Sequence, residues 1–405
     1  MFGFGEQKNT VTEEKKIEEL LSRGVDKIYP TKEVLKKTLL SGKRLKLYQG
    51  FDPTGDKLHI GHMVGFRKHR QWQDLGHEVI FLIGDGTGQA GDPTGKKKTR
   101  EKFFTQKELR ENSKNYLIQA SKIVRFNGPN PIKILYNGDW LNKLTLVDIL
   151  NIAEHFSVQQ LIERDMFQER IKSGESINLR EFLYPLLQAY DSVFMDVDLE
   201  IGGSDQTFNM LAGRTLMQTM KGKEKFVMTT PLLVDSKGVK IGKSEGNVIG
   251  LNDLPNDLFG KIMSLGDDTI IPIFTLLTDV SMEEINSFNL NENPLNLKKR
   301  LACIIISQLY SEKEALESQE NFENVFTKGE IPKDIIEVEV PYNTKLVDVL
   351  LSKNIVSSKT DFRRLVLEGA IEKMEDEEKI TDQNIEAISG TYKIGKKRFI
   401  KIKTV

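Results

Sequence analysis

Leu45-Lys46-Leu47-Tyr48-Gln49-Gly50-Phe51-Asp52-Pro53-Thr54-Gly55-Asp56-Lys57-Leu58-His59-Ile60-Gly61-His62 is the stretch from which the fold can be read. Leu45 to Tyr48 alternates apolar and polar residues as a short strand does. Gly50, Pro53 and Gly55 mark a turn, and a helical pattern takes over from about Gly61. Strand, turn and helix in that order place His59 and His62 at a helix N-terminus, where free backbone N–H groups and the helix dipole favour an anion such as a triphosphate. Their three-residue spacing puts both imidazoles on one helical face. Gly61 between them leaves room for a phosphate or an adenine ring to approach the backbone.

Outward from this stretch, strand-like and helical runs alternate to about residue 250. Val79-Ile80-Phe81-Leu82-Ile83, Lys133-Ile134-Leu135-Tyr136 and Phe226-Val227-Met228 read as buried strands, with helices near 61–75, 107–124, 185–194 and 205–220. The pattern predicts an α/β fold with a doubly wound parallel sheet, whose ligands bind beyond the carboxyl ends of the strands. Residues 251–335 turn mostly helical, punctuated by Pro255, Pro272 and Pro294, and a small mixed unit follows Pro341. Its last sixteen residues hold Lys393, Lys396, Lys397, Arg398, Lys401 and Lys403 and no acidic side chain, a run that suits an RNA backbone and equally a solvated surface.

A second segment completes the first. In Asp235-Ser236-Lys237-Gly238-Val239-Lys240-Ile241-Gly242-Lys243-Ser244-Glu245-Gly246-Asn247 the glycines predict a mobile loop, and Lys240 and Lys243 can close over β- and γ-phosphates as pyrophosphate leaves. Either half alone also describes ordinary surface residues. Together, in this order, they point to ATP-dependent activation of a carboxylate.

The whole chain narrows the classes. Its 405 residues allow two or three domains, and 58 basic against 59 acidic residues give no global pull towards nucleic acid or membrane. A single cysteine, Cys303, excludes an internal disulfide and a multi-cysteine zinc site, and its apolar surroundings predict a small buried hydrophobe. The charged start does not read as a signal peptide, and no apolar run approaches the ~20 residues of a membrane helix. A cytoplasmic protein is expected.

With these residues in hand, the chain resembles class I aminoacyl-tRNA synthetases, and among them the bacterial tyrosyl-tRNA synthetases. The resemblance rests on both signatures and on Tyr48-Gln49-Gly50-Phe51-Asp52-Pro53-Thr54, Gly91-Asp92-Pro93-Thr94-Gly95-Lys96, Tyr184-Pro185-Leu186-Leu187-Gln188-Ala189-Tyr190-Asp191 and Gly202-Gly203-Ser204-Asp205-Gln206. It implies a Rossmann-like catalytic domain over 1–250 with an insertion near 125–190. It further implies an α-helical anticodon-binding domain over 251–335 and a small α+β RNA-binding domain over 341–405, like one in a ribosomal small-subunit protein. Tyr48 and Asp191 would hold a substrate phenol that alone satisfies them. Tyr184, Gln188, Asn137, Gln206 and Asp92 would bind the amino-acid head and line the pocket. Pro185 fits the first position of a helix, which would put Gln188 and Asp191 on one face. Gly50, Asp52, His59, Gly61, His62, Gly203, Asp205, Lys240 and Lys243 would contact ATP or the adenylate, and Lys96 the departing pyrophosphate.

ATP is implied as a substrate travelling with Mg2+, with no protein cage for a metal and no tightly bound cofactor. The implied partners are L-tyrosine, tRNA-Tyr and a second copy of the chain. The chain departs from the family pattern at Lys240-Ile241-Gly242-Lys243-Ser244, where Lys-Met-Ser-Lys-Ser is common, and at Thr207-Phe208, where Trp-Gly is. The sister tryptophan enzyme, an HxGH nucleotidyltransferase and a non-catalytic RNA-binding paralogue are the rival readings.

Overall fold

Among the described residues the large sheet has six strands: β1 (Lys27–Tyr29), β2 (Lys46–Phe51), β3 (Glu78–Ile83), β4 (Lys133–Tyr136), β5 (Leu199–Gly203) and β6 (Phe226–Thr230). The structure is a computed structural model that describes residues 10–55, 57–96, 98–99, 102–235, 238–241, 248–327, 335–376, 378–395 and 398–405. The strand order is β1-β6-β5-β2-β3-β4. From β2 the chain winds outward through β3 and β4, then returns to lay β5 on the other side of β2 and β6 beyond it. All five of these strands run parallel. The reversal between β2 and β5 is the topological switch point at which a doubly wound sheet opens a crevice at its carboxyl edge.

The sheet is mixed, because β1 pairs antiparallel with β6 at the edge. That strand is three residues long, too short for periodicity to reveal. Nor does the sequence reading include β5, which follows directly on the helix Leu179–Met195.

Alternation along β2 sends its side chains to two layers. Phe51 stacks on Phe81 at 4.5 Å and tilts against Phe66 of the helix Ile60–Asp74 at 5.2 Å, while Tyr48 faces Trp140, Met195 and Val197. His69 lies fully buried among these aromatics, both ring nitrogens without a hydrogen-bond partner, and burial pushes its pKa down to about 3.

Two compact units divide the chain, Met1–Glu312 and Lys313–Val405. Lys133–Tyr136, which falls within the stretch 125–190 expected as an insertion, is itself a sheet strand. Pro185 proves to be inside a helix, not at its start. Asn178 caps Leu179–Met195, its side chain accepting from Arg180 N–H and its own N–H donating to Glu181 Oε2, so the helix begins six residues earlier. Cys303 is half-buried on the helix Pro294–Leu309, not fully enclosed.

The second unit holds β7 (Ile336–Val340), β8 (Ile371–Lys373), β9 (Glu378–Lys379), β10 (Gly390–Ile394) and β11 (Arg398–Thr404) in the order β7-β11-β10-β8-β9. With the helices Leu346–Ser352 and Lys359–Leu367 they enclose a core that includes Leu346, Leu350, Phe362, Tyr392 and Ile400. The basic terminal run is partly neutralised. Lys401 and Lys403 pair at 2.7 Å with Glu337 and Glu339 of the neighbouring parallel strand. Lys396 and Lys397 fall outside the described residues. Among the described residues, no helix is long and apolar enough to cross a membrane.

Candidate active site

The helix Ile60–Asp74 starts where it does because two histidines cap it. His59 is the N-cap: its Nδ1 accepts from Gly61 N–H at 3.2 Å, and its own N–H donates to His62 Nδ1 at 3.2 Å. Both Nδ1 atoms are therefore acceptors, which places the ring proton of each neutral imidazole on Nε2. The rings lie 4.1 Å apart. The glycine between them serves His59 itself: a Cβ at 61 would sit 2.9 Å from that imidazole.

Each parallel strand delivers residues to the same place at its carboxyl end. Asp52 follows β2, Asn137 follows β4, and Gly203, Asp205 and Gln206 close β5. Gly84, after β3, has no room for a side chain because Asp52 and Thr87 occupy that space, and Thr87 Oγ1 donates to Asp52 Oδ1 at 2.7 Å. These ends line a cleft of about 490 Å3. Around it stand Tyr48, Gly50, Asp52, His59, Gly61, His62, Asp92, Lys96, Asn137, Tyr184, Gln188, Asp191, Gly203, Asp205, Gln206 and Lys240. Of the residues singled out in the sequence, Lys243 lies outside the described residues.

The hydrogen bonds correct one expectation. Asp191 and Tyr48 have protein partners of their own: Asn137 Nδ2 donates to Asp191 Oδ2 at 2.9 Å and Trp140 Nε1 to Oδ1 at 2.8 Å, while the Tyr48 hydroxyl pairs with Ser192 Oγ at 2.8 Å. A ligand hydroxyl would add to these bonds, since each carboxylate oxygen accepts more than one donor. Burial pushes the Asp191 carboxyl well above the usual carboxylate range, with the Asn137 and Trp140 bonds working against it. Burial likewise raises the phenols of Tyr48 and Tyr184, and at Tyr184 the charges of Asp52 and Asp92 add to it. Two carboxylates beside Tyr184 suit an ammonium group. Gln206 Nε2 donates to Asp92 Oδ2 at 2.8 Å, fixing one of them.

Val234 and Lys240 form an antiparallel bridge, and Gly238 has a φ of +75°. Lys240 Nζ reaches Asp205 Oδ2 at 2.7 Å. Among the described residues no group of three or more His, Cys, Asp or Glu side chains is arranged to hold a metal.

The family described as tRNA synthetases class I (W and Y) matches residues 40–327. The chain belongs to it. Among its relatives, the tyrosine--tRNA ligase of Dehalococcoides mccartyi is 41% identical over 397 residues, covering 96% of this chain and 98% of that one. The tyrosine--tRNA ligase of Carboxydothermus hydrogenoformans is 41% identical over 413 residues, covering 97% and 98%. Two solved synthetases share the fold. A C-terminally truncated Aspergillus nidulans mitochondrial tyrosyl-tRNA synthetase has a TM-score of 0.64 at 24% identity, covering 80% of this chain and 95% of that one. The Archaeoglobus fulgidus tyrosyl-tRNA synthetase complexed with L-tyrosine has a TM-score of 0.59 at 20% identity, covering 75% and 98%.

In this synthetase, sequence reasoning missed several residues that line or underlie the cleft. Trp140 and Thr87 hold Asp191 and Asp52, and Ser192, Glu200 and Lys225 lie beneath Tyr48. Arg164, from the insertion, donates to Thr94 Oγ1 at 3.2 Å beside Asp92, and burial pulls its guanidinium down to about 10. None sits in a recognisable spacing. Asp191 followed by a serine in an otherwise apolar helical turn is the one local hint.

Proposed function

We infer that the chain is an aminoacyl-tRNA ligase that activates L-tyrosine with ATP, releasing pyrophosphate, and then transfers the tyrosyl group to the 3′ end of tRNA-Tyr. The observation that carries the tyrosine assignment is the buried Asp191 carboxylate beside the Tyr48 hydroxyl at the closed end of the cleft. A phenol can donate to the first and pair with the second. Phenylalanine makes neither bond and forfeits their stabilisation. The tyrosine enzymes are themselves the standard example of this kind of discrimination. Tyr184, Asp92, Gln206 and Gln188 bind the amino-acid head, and the ammonium group is drawn to the carboxylates near Tyr184.

Activation is mostly positioning and electrostatics. The substrate carboxylate, ionised at pH 7, attacks the α-phosphate in line and needs no general base. His59 and His62 donate from Nε2 to phosphate oxygens as charge builds there, helped by the helix N-terminus. Asp52, Gly50, Gly61 and Gly203 shape the nucleotide side of the cleft. The Lys240–Asp205 pair opens so that Asp205 takes the ribose and Lys240, with Lys243 and Lys96, follows the pyrophosphate out. Mg2+ arrives with ATP as part of the substrate.

Residues 251–335 and the small terminal unit are assigned to tRNA, and the bacterial relatives support a cytoplasmic setting. A homodimer is supported by exposed apolar side chains on the insertion: Leu146, Val147, Leu150, Val158 and Leu179 are each more than half exposed. Light scattering on a size-exclusion column is expected to give twice the chain mass, and a monomer at assay concentration refutes the pairing.

The test of the function is amino-acid-dependent exchange of labelled pyrophosphate into ATP. Exchange with tyrosine and not with phenylalanine or tryptophan is expected. Exchange with tryptophan would move the assignment to the sister enzyme.

A further inference from the structure

We propose that Ser192, Glu200 and Lys225 are positioning residues for tyrosine selection: a buried ion pair beneath the pocket that holds the Tyr48 hydroxyl through Ser192 and the Gln188 amide directly. The proposal rests on the tyrosine reading above. Tyr48 on β2 and Glu200 on β5 are paired in register across the switch point, so their side chains leave the sheet on the same face. Lys225, just before β6, brings its ammonium against Glu200 Oε2 and donates to Ser192 Oγ at 2.9 Å. Glu200 Oε1 accepts from Gln188 Nε2 at 2.9 Å. One carboxylate thus anchors two residues of the tyrosine pocket.

Burial makes the arrangement costly. Tyr48, Ser192 and Lys225 are 0% exposed and Glu200 1%. Burial pulls the Lys225 ammonium below its usual pKa, and the charge of Glu200 is the main force holding against it. Apolar pairs that replace a buried ion pair of the same volume are often neutral or stabilising, so stability alone gives little reason for these charges. Recognition does. A lysine has donors only, so Ser192 Oγ must accept from it. The serine's own proton then turns to the nearer of its two acceptors, Tyr48 Oη at 2.8 Å against Glu200 Oε2 at 3.4 Å. With that bond made, Tyr48 keeps its own proton, which the neighbouring Glu200 carboxylate holds on the phenol and which a ligand oxygen can accept. The substrate phenol accepts from Tyr48 and donates to Asp191, a pairing that only a hydroxyl completes. The helix Thr207–Lys221 is trimmed to fit: a Cβ on Gly213 would stand 2.5 Å from Lys225 Nζ and 2.9 Å from Ser192 Oγ.

Two variants test this by pyrophosphate exchange, each assayed with tyrosine and with phenylalanine beside the unaltered protein. Ser192→Ala deletes one hydroxyl. It is expected to raise KM for tyrosine roughly 10-fold, the scale of one buried hydrogen bond, to leave KM for ATP unchanged, and to shrink the tyrosine-to-phenylalanine ratio by the same factor. The double variant Glu200→Leu with Lys225→Met replaces the ion pair by apolar side chains that fill the space. It is expected to melt no lower than the unaltered protein, yet to lose discrimination at least as far. A ratio unchanged in folded variants overturns the proposal and leaves the tyrosine reading standing. No exchange with tyrosine by the unaltered protein overturns both.

Discussion

Replacing His59 by serine is expected to cut the rate of tyrosine-dependent pyrophosphate exchange by roughly 10²- to 10³-fold, the usual cost of removing one donor aimed at developing charge. The substitution separates two roles that His59 combines. As N-cap it accepts the Gly61 N–H, and serine is among the best residues for that task. The helix therefore keeps its start, and the melting temperature is expected to stay within a few degrees. Serine is too short to put a donor where the imidazole Nε2 stands, so the phosphate contact goes. The comparison is between the rate constant of exchange and calorimetric stability. A fall in both would make His59 a cap alone, and a normal rate would remove it from the chemistry.

Asp191→Ala is the second large effect. The carboxylate is 1% exposed and accepts from two buried donors, Asn137 Nδ2 and Trp140 Nε1. Truncation strands both donors at a cost of about 1–3 kcal/mol each. It also slackens Asn137, whose Oδ1 accepts from Gly86 N–H at 2.7 Å and so ties the end of β3 to the pocket. The phenol loses its acceptor at the same time. Activation of tyrosine, read as kcat/KM, is expected to fall by at least about 10², while phenylalanine, which never used the carboxylate, falls far less. The ratio of the two constants is the decisive reading, because loss of general order lowers both together. Undiminished preference for tyrosine would show that the phenol binds elsewhere.

Much of the cleft's lining is legible in the sequence. His59, His62 and Gly61 are local: a strand, a turn and a helix start within eighteen residues are properties of neighbouring side chains, and the pattern reports them directly. Asp52 lies in the same stretch, just past the end of β2, whereas Asp205 was marked only by the family resemblance, because the strand before it was not read. Local signals mislead when a distant partner decides. Pro185 looks like a helix start, yet Asn178 and Glu181 cap the helix earlier and the proline is carried inside it. The terminal basic run reads equally as an RNA contact or a solvated surface, and only the fold shows that β11 returns beside β7 and sets Lys401 and Lys403 against Glu337 and Glu339.

By itself, then, the sequence determined the helix start at His59, the alternation of β2, β3, β4 and β6 with helices, and the residue types that gather at the strand ends. Only the tertiary structure decided which of those residues satisfy one another. Ser192 follows Asp191, Glu200 stands between Leu199 and Ile201, and Lys225 ends the charged run Lys223-Glu224-Lys225, and nothing in their spacing joins them to Tyr48. What joins them is that β5 lies directly beside β2. That adjacency comes from the order in which the whole sheet is wound, and in a dry interior a charge is tolerable only where the winding delivers its partner.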